Sequence, residues 1–336
     1  SLVEIGESAF SETNLAGTLV IPKTVTTIGN AAFYYTNLAG LDLSKATSLV
    51  EIGESAFSET NLAGTLSVPN TVTKIGAFAF YYTKLMGLDL SKATSLVEIG
   101  EDAFSDTNLA GTLLIPSTVT KIGAFAFYYT KLTYLDLSEA TSLVEIGEDA
   151  FSETNLAGTL AVPSTVMTIG TGAFASTKLA GLDLSKATSL VEIGESAFYA
   201  AANLAGTLKV GPAVKTIGTS AFANTKLTHL DLSEATSLVS IGDYAFLGAT
   251  DLVGTLAIPS TVTTIGAWAF ANTELTGLDL SKATSLVEIG QRAFSETKLE
   301  GILAVSNTVT TIGPGAFAYT NLAGLDLSKA TSLVEI

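Results

Sequence analysis

The chain has 336 residues, 47% of them hydrophobic and 14% charged, which excludes a charge-rich disordered polymer with too few apolar groups to offset ordering entropy. Thirty-two acidic against 16 basic residues leave a formal charge of -16, so phosphate backbones and anionic membrane surfaces are repelled at long range and nucleic acid is not an expected partner. Cys is absent and His229 is the single imidazole; zinc sites, thiol nucleophiles and Ser-His-Asp arrays drop out of the inventory, and neither an enzyme nor a cofactor is expected.

No run approaches the ~18 uninterrupted apolar residues of a membrane helix, so membrane insertion is not expected either. The phrase SLVEIG begins at Ser1, Ser48, Ser95, Ser142, Ser189 and Ser285, with SLVSIG at Ser237, a period of 47 or 48 residues. Each period splits into two half-repeats, one reading SLVEIGESAFSETNLAGTLVIPKT and the other VTTIGNAAFYYTNLAGLDLSKAT. Seven double repeats, or fourteen half-repeats, fill residues 1–336. A unit this short cannot bury its own apolar face, so successive coils must stack. The expectation is one continuous solenoid domain over residues 1–336, of about 14 coils and uncapped at both ends.

In chain order, Leu19 and Ile21 alternate around Val20 as in a half-buried strand, which Pro22 ends by removing a backbone donor. Val25 and Ile28 mark a second, shorter strand, and Gly29 is expected to turn the chain where a Cβ would resist. Ala-Phe follows in every half-repeat, from Phe10 and Phe33 to Phe294 and Phe317, and takes fourteen of the sixteen Phe residues. A ring recurring once per coil at constant phase is expected to stack internally, the small Ala letting the turn approach closely. Leu41 and Leu43 then flank Asp42, Leu inward and Asp outward, in the main strand, and the stack of such strands is expected to form a continuous parallel sheet.

The motif LxxLxL followed by VxxIGxxAFxxTxL resembles the BspA-like leucine-rich repeat family over the whole chain. The resemblance implies a right-handed solenoid of leucine-rich-repeat type, mainly β. With the periodicity, the expected coil holds one parallel strand, a short second strand and short helical turns. It also implies an extracellular or cell-surface location, attachment to proteins of host or neighbouring cells, and no catalytic residues. Many family members carry Cys a few residues after Ala-Phe, where this chain has Thr13, Thr36, Thr60 and Thr83.

Several outward columns are candidate contact sites. Asp42, Asp89, Asp136, Asp183, Asp231, Asp279 and Asp326 recur every second coil, ~10 Å apart, too far for neighbours to share one calcium ion. Most have Lys three residues later, a solvated pair of little energetic weight. Two coils depart together: LTYLDLSEAT and LTHLDLSEAT place Tyr134 and His229 where Gly is usual, beside Asp136 and Asp231, and put Glu139 and Glu234 where Lys is usual. This gives an aromatic and a titratable group to a locally more acidic face. The pairs Tyr34 and Tyr35, Tyr81 and Tyr82, and Tyr128 and Tyr129 form a second candidate, because tyrosine adds contact area at small entropic cost. Glu4, Glu51, Glu98, Glu145, Glu192 and Glu288 form an acidic column open to weak, unspecific divalent cations, and Glu7, Glu54, Glu101, Glu148 and Glu195 form another. Flat Thr pairs such as Thr24 with Thr26 and Thr71 with Thr73 look like those of ice-binding solenoids, though Met167 and Lys215 interrupt them.

Two functions follow from these features. One is a non-catalytic surface scaffold that binds proteins or mediates adhesion, with a protein partner of unidentified kind. The other is a structural segment of an extracellular filament, self-associating through end coils that lack polar caps; ice binding is a remote third.

Overall fold

The computed structural model describes residues 2–336. They fall into two compact units, Ser1–Gly158 and Thr159–Ile336, each a parallel β-solenoid without helix among the described residues. In the first unit the two-residue strands Glu4–Ile5, Thr27–Ile28, Glu51–Ile52, Lys74–Ile75, Glu98–Ile99, Lys121–Ile122 and Glu145–Ile146 pair in sequence, always in parallel and in matching register. The second unit repeats the ladder from Thr168–Ile169 through Thr216–Ile217 and Thr264–Ile265 to Thr311–Ile312. The through-running sheet therefore belongs to the short strand of each coil. The long strands, expected to form it, pair only in twos: Ala16–Val20 with Asn37–Asp42, Ala63–Ser67 with Lys84–Asp89, and Ala110–Leu114 with Lys131–Asp136. Each pair carries a register shift after Gly17, Gly64 or Gly111, whose φ values near +80° suit a residue without Cβ.

The expected helical turns are absent because the Ala-Phe segment alternates into left-handed backbone. Two residues per turn have positive φ, such as Ser55 at 52° and Glu59 at 56° around Phe57. Positive φ in non-glycine residues is costly, and hydrogen bonding between coils offsets it. The N–H groups of Ser55, Phe57 and Glu59 donate to the carbonyls of Ala77, Ala79 and Tyr81 in the next coil, each at 2.8 Å. Alternation of this kind aims every second amide along the stacking direction, which an α-helical turn does not do.

Phenylalanine fills the interior as expected. In the first unit the rings from Phe10 to Phe151 stack at 5.2–5.4 Å between centroids and within 8° of parallel. The rings from Phe174 to Phe317 stack at 5.1–5.5 Å and within 11° of parallel. Around them each coil buries a set such as Ile52, Ala56, Phe57, Leu62, Leu66, Val68 and Val72. The Gly after each Ile has a different reason from the one expected. A Cβ on Gly100 would lie 2.6 Å from the backbone N of Ala77, so this column serves close approach between coils rather than an unusual φ.

Thr three residues after each Phe is explained by the same packing. Thr60 Oγ1 donates to the Phe57 carbonyl at 2.8 Å, and Thr36, Thr107 and Thr130 repeat the bond. Two coils lack this Thr and carry one extra residue in the turn: there the N–H of Ala201 donates to the Phe198 carbonyl at 3.2 Å, and that of Ala249 to Phe246 at 3.1 Å. A backbone donor has replaced a hydroxyl, and the insertion places it.

Candidate functional site

The interior is apolar and filled, so chemistry-bearing side chains lie on the outer walls. On the long-strand wall the Asp column is held by its own loop. Asp42 Oδ1 accepts the Ser44 N–H at 2.8 Å, and Asp89, Asp136, Asp183, Asp231, Asp279 and Asp326 accept the N–H two residues on at 2.8–3.0 Å. The Ser91 side chain, then its backbone N–H, holds the Asp89 carboxyl below its ordinary value, and Ser185, Ser233 and Ser281 do so for Asp183, Asp231 and Asp279. These carboxylates thus build turns, with the following Ser as main partner; Lys92, Lys186 and Lys282 are lesser influences on Asp89, Asp183 and Asp279, and the cross-strand Lys209 is one on Asp231.

The loop after Asp is two residues longer than its counterpart after the Pro-ended strand, so each shorter loop sits as a notch between two longer ones. One notch, of about 820 Å³, runs from Asp42 and Thr47 across Pro69 to Lys92. Its equivalent in the second unit, of about 880 Å³, includes His229, Asp231, Pro259 and Lys282.

The departing coils place their residues one cluster in each unit. Tyr134 is 44% exposed, its ring beside Gly158, with Asp136 half-buried and Glu139 exposed on the same wall. In the second unit His229 is exposed, its Nδ1 3.1 Å from Thr228 Oγ1, above half-buried Asp231 and exposed Glu234. The expected local acidity holds at Tyr134, where the residue paired with Asp136 is Leu114. It is offset at His229, because Lys209 pairs across the strands with Asp231 and its Nζ lies 3.9 Å from Asp231 and 3.5 Å from Glu234. The cross-strand partner decides the difference, and the motif LTHLDLSEAT alone does not contain it.

The tyrosine pairs share one geometry. Within each pair the ring centroids are 6.1 Å apart and tilted by 35–39°. The second Tyr of each pair faces water, Tyr35 at 60%, Tyr82 at 62% and Tyr129 at 61% exposed, while Tyr34, Tyr81 and Tyr128 are half-buried. All three exposed rings stand on left-handed backbone, with φ of 53–55°. Between them, at the same position of the intervening coils, stand Glu12, Glu59, Asp106 and Glu153. Tyr34 Oη donates to Glu59 Oε1 at 3.2 Å. The Glu59 charge, then burial, pushes the Tyr34 hydroxyl up; for Tyr81 and Tyr128 burial leads, followed by Asp106 and Glu153 respectively. Phe78 and Phe125 extend the wall, edge-on to Tyr81 at 5.9 Å and Tyr128 at 5.8 Å. Sequence reasoning missed these two, although they are the two Phe residues outside the Ala-Phe column.

The remaining columns are structural in their bonding. Thr71 and Thr73 donate to the carbonyls of Leu49 and Val50, and Thr118 and Thr120 to those of Leu96 and Val97, so hydroxyls expected to form a flat outer array are turned to the preceding coil. In the Glu4 column Lys74 and Lys121 stand between successive acids, with Lys121 Nζ 3.2 Å from Glu145. Among the described residues no group of three or more acidic or imidazole side chains is placed to hold a metal ion, and no helix is long and apolar enough to cross a membrane.

Comparison with known proteins follows the repeat. A profile described as "BspA type Leucine rich repeat region" matches residues 1–110, 73–205, 120–246 and 215–335. A leucine-rich repeat protein from Bacteroides ovatus is similar in structure, with a TM-score of 0.64 and 23% identity over 90% of this chain and 82% of that one. The pneumococcal vaccine antigen PcpA has a TM-score of 0.52 at 18% identity, covering 96% of this chain and 84% of its own. A leucine-rich repeat protein from Eubacterium ventriosum has a TM-score of 0.50 at 20% identity, over 90% and 82% respectively. At these identities the likeness concerns the fold. No curated protein matches the chain.

Proposed function

Because the chain belongs to the BspA-type leucine-rich repeat family, we propose that it is a non-catalytic scaffold for protein–protein interaction and adhesion, displayed outside the cell or on its surface. The observation that carries this reading is the division of labour in each coil. Phe, Leu, Ile and Val fill the interior, and exposed large aromatics such as Tyr35, Tyr82, Tyr129 and Tyr134 stand on the outer walls. Tyr presents large area for few rotatable bonds, which suits a protein partner. The pneumococcal neighbour is a vaccine antigen, and this favours a surface location. A non-catalytic role accords with the single imidazole being an exposed wall residue bonded to Thr228.

The test is capture from native surroundings with the whole chain as bait, followed by mass spectrometry and repeated with Tyr134→Gly and His229→Gly, the residue that other coils carry at that position. Loss of a captured protein places contact on the long-strand wall. Capture of nothing above a scrambled-surface control would sink the scaffold reading. End-to-end self-association is the second reading, favoured by the parallel pairing of the short strands, which passes from coil to coil in matching register and can pass likewise between copies. Light scattering that shows only monomer across a concentration series excludes it for this chain.

A further inference from the structure

We propose that the tyrosine wall of the first unit binds an extended, basic polypeptide running along the stacking direction, with an Arg or Lys side chain at every third residue. The inference rests on the protein-binding reading and names the partner's chemistry. Its first support is alternation. Along one column, two residues after each stacked Phe, stand Glu12, Tyr35, Glu59, Tyr82, Asp106, Tyr129 and Glu153. Each exposed ring is therefore flanked by two carboxylates, and a cation over the ring face meets both the ring quadrupole and opposite charge on either side. An acidic partner would oppose those acids, and an apolar one would desolvate them without supplying an opposite charge.

The second support lies in the other unit, where the protein supplies such a cation itself. Tyr244 stacks on Trp268 at 6.4 Å, and the guanidinium of Arg292 lies 4.8 Å from the Trp268 ring centroid. These three residues occupy the position two before the stacked Phe in successive coils, where the first unit carries Phe78 and Phe125 with Asp102 and Asp149. The aromatic column in the second unit thus ends on an internal guanidinium. Among the described residues the cation seated over a ring is that of Arg292; in the first unit Lys84 and Lys131 stand two residues after Tyr82 and Tyr129, and Lys131 is engaged by Asn108 Oδ1 at 2.7 Å. The place taken by Arg292 in one unit holds Asp102 and Asp149 in the other, so the first-unit wall carries acids where the second unit supplies its own cation.

The third support is spacing. Tyr35, Tyr82 and Tyr129 are each two coils apart, roughly 10 Å. A chain in polyproline II conformation, with three residues per turn and a rise of about 3.1 Å, advances about 9 Å in three residues. It keeps side chains at i, i+3 and i+6 on one face, so they meet successive rings; a β-strand, which alternates faces, does not. A helical partner, rising ~1.5 Å per residue, meets that spacing only near every seventh residue.

The test uses the full chain and synthetic ten-residue peptides of Gly, Ser and three Arg, titrated calorimetrically at 20 and 150 mM salt. Arg at positions 1, 4 and 7 is expected to bind at least tenfold more tightly than three consecutive Arg, and more tightly than the same peptide with citrulline. The combined variant Tyr35→Asn, Tyr82→Asn, Tyr129→Asn is expected to bind the spaced peptide at least tenfold more weakly. Its fold should be retained, because Asn224 and Asn272 hold the same position at φ of 58° and 56°. Glu59→Gln with Asp106→Asn should weaken binding and flatten its salt dependence. Equal affinity for spaced and consecutive Arg, unchanged affinity in the Asn variant, or no binding of the spaced peptide would each overturn the inference. If the spaced peptide fails while native capture is lost on Tyr134→Gly, the tyrosine wall is refuted and the scaffold stands; if both fail, both fall.

Discussion

Removing one ring from the middle of the phenylalanine stack should be among the most damaging single changes to the chain. Phe104 is fully buried and stacked on Phe80 at 5.3 Å and on Phe127 at 5.4 Å. A ring burying ~150 Å² at ~25 cal/mol per Å² contributes about 4 kcal/mol. Truncation also leaves two ring faces without a partner, and coils tied by backbone ladders on both sides cannot collapse into the gap. Phe104→Ala should therefore cost about 4–5 kcal/mol, the upper part of the range for such changes. Phe78 is the control: it is half-buried, touches Tyr81 edge-on, and sits where Ser55 serves in the coil before. Phe78→Ser should cost about 1–2 kcal/mol. Urea unfolding followed by circular dichroism reads both changes. Long repeat arrays can lose all-or-none behaviour, so amide exchange at the N–H groups of Phe80 and Phe127 supplies a local measure. A Phe104→Ala loss no larger than that of Phe78→Ser would refute the continuous aromatic core.

Three further outcomes are expected. Thr107→Val removes the hydroxyl that donates to the Phe104 carbonyl at 2.8 Å and should cost about 1–2 kcal/mol in urea unfolding, whereas Thr107→Ser should keep most of it. Gly100→Ala forces a Cβ to 2.6 Å from backbone atoms of the preceding coil and should cost about 3 kcal/mol, while Gly6→Ala, with nothing within 4 Å, should change the urea midpoint little. For pH, Asp89, Asp183, Asp231 and Asp279 titrate below 3.8 in the native state, so their contribution is complete above the unfolded value and is lost as pH falls through the folded ones. Burial raises Asp102 and Asp149 above 3.8, so the native state holds their protons longer and stability declines as pH rises through those raised values. Thermal midpoints against pH should then fall below about pH 4, and Asp102→Asn with Asp149→Asn should raise the midpoint at neutral pH relative to the parent.

Much of the coil is legible in a single half-repeat, because its apolar columns have one way to be buried. Ile, Ala, Phe, Leu and Val recur at constant phase, and stacking is the arrangement that hides all of them; the interior and the outward tyrosines follow. The column of Gly after Ile was visible too, but its cause lay in the backbone of the neighbouring coil. The same holds for Thr after Phe, whose acceptor is a carbonyl three residues back in a turn of left-handed backbone that no propensity of Ser, Glu or Tyr announces.

Composition and period therefore determine that this protein is a stack of coils with a phenylalanine interior, since apolar side chains at fixed phase respond only to burial. Tertiary structure alone decides which strand carries the through-running sheet, that Lys209 partly offsets the acids beside His229 while Leu114 leaves Asp136 without a cation across the strands, and that the Tyr34 hydroxyl reaches Glu59 in the next coil. Those outcomes depend on side chains brought together from coils some 23 residues apart. Their pairing is set by the register between coils, and no segment read by itself contains that register.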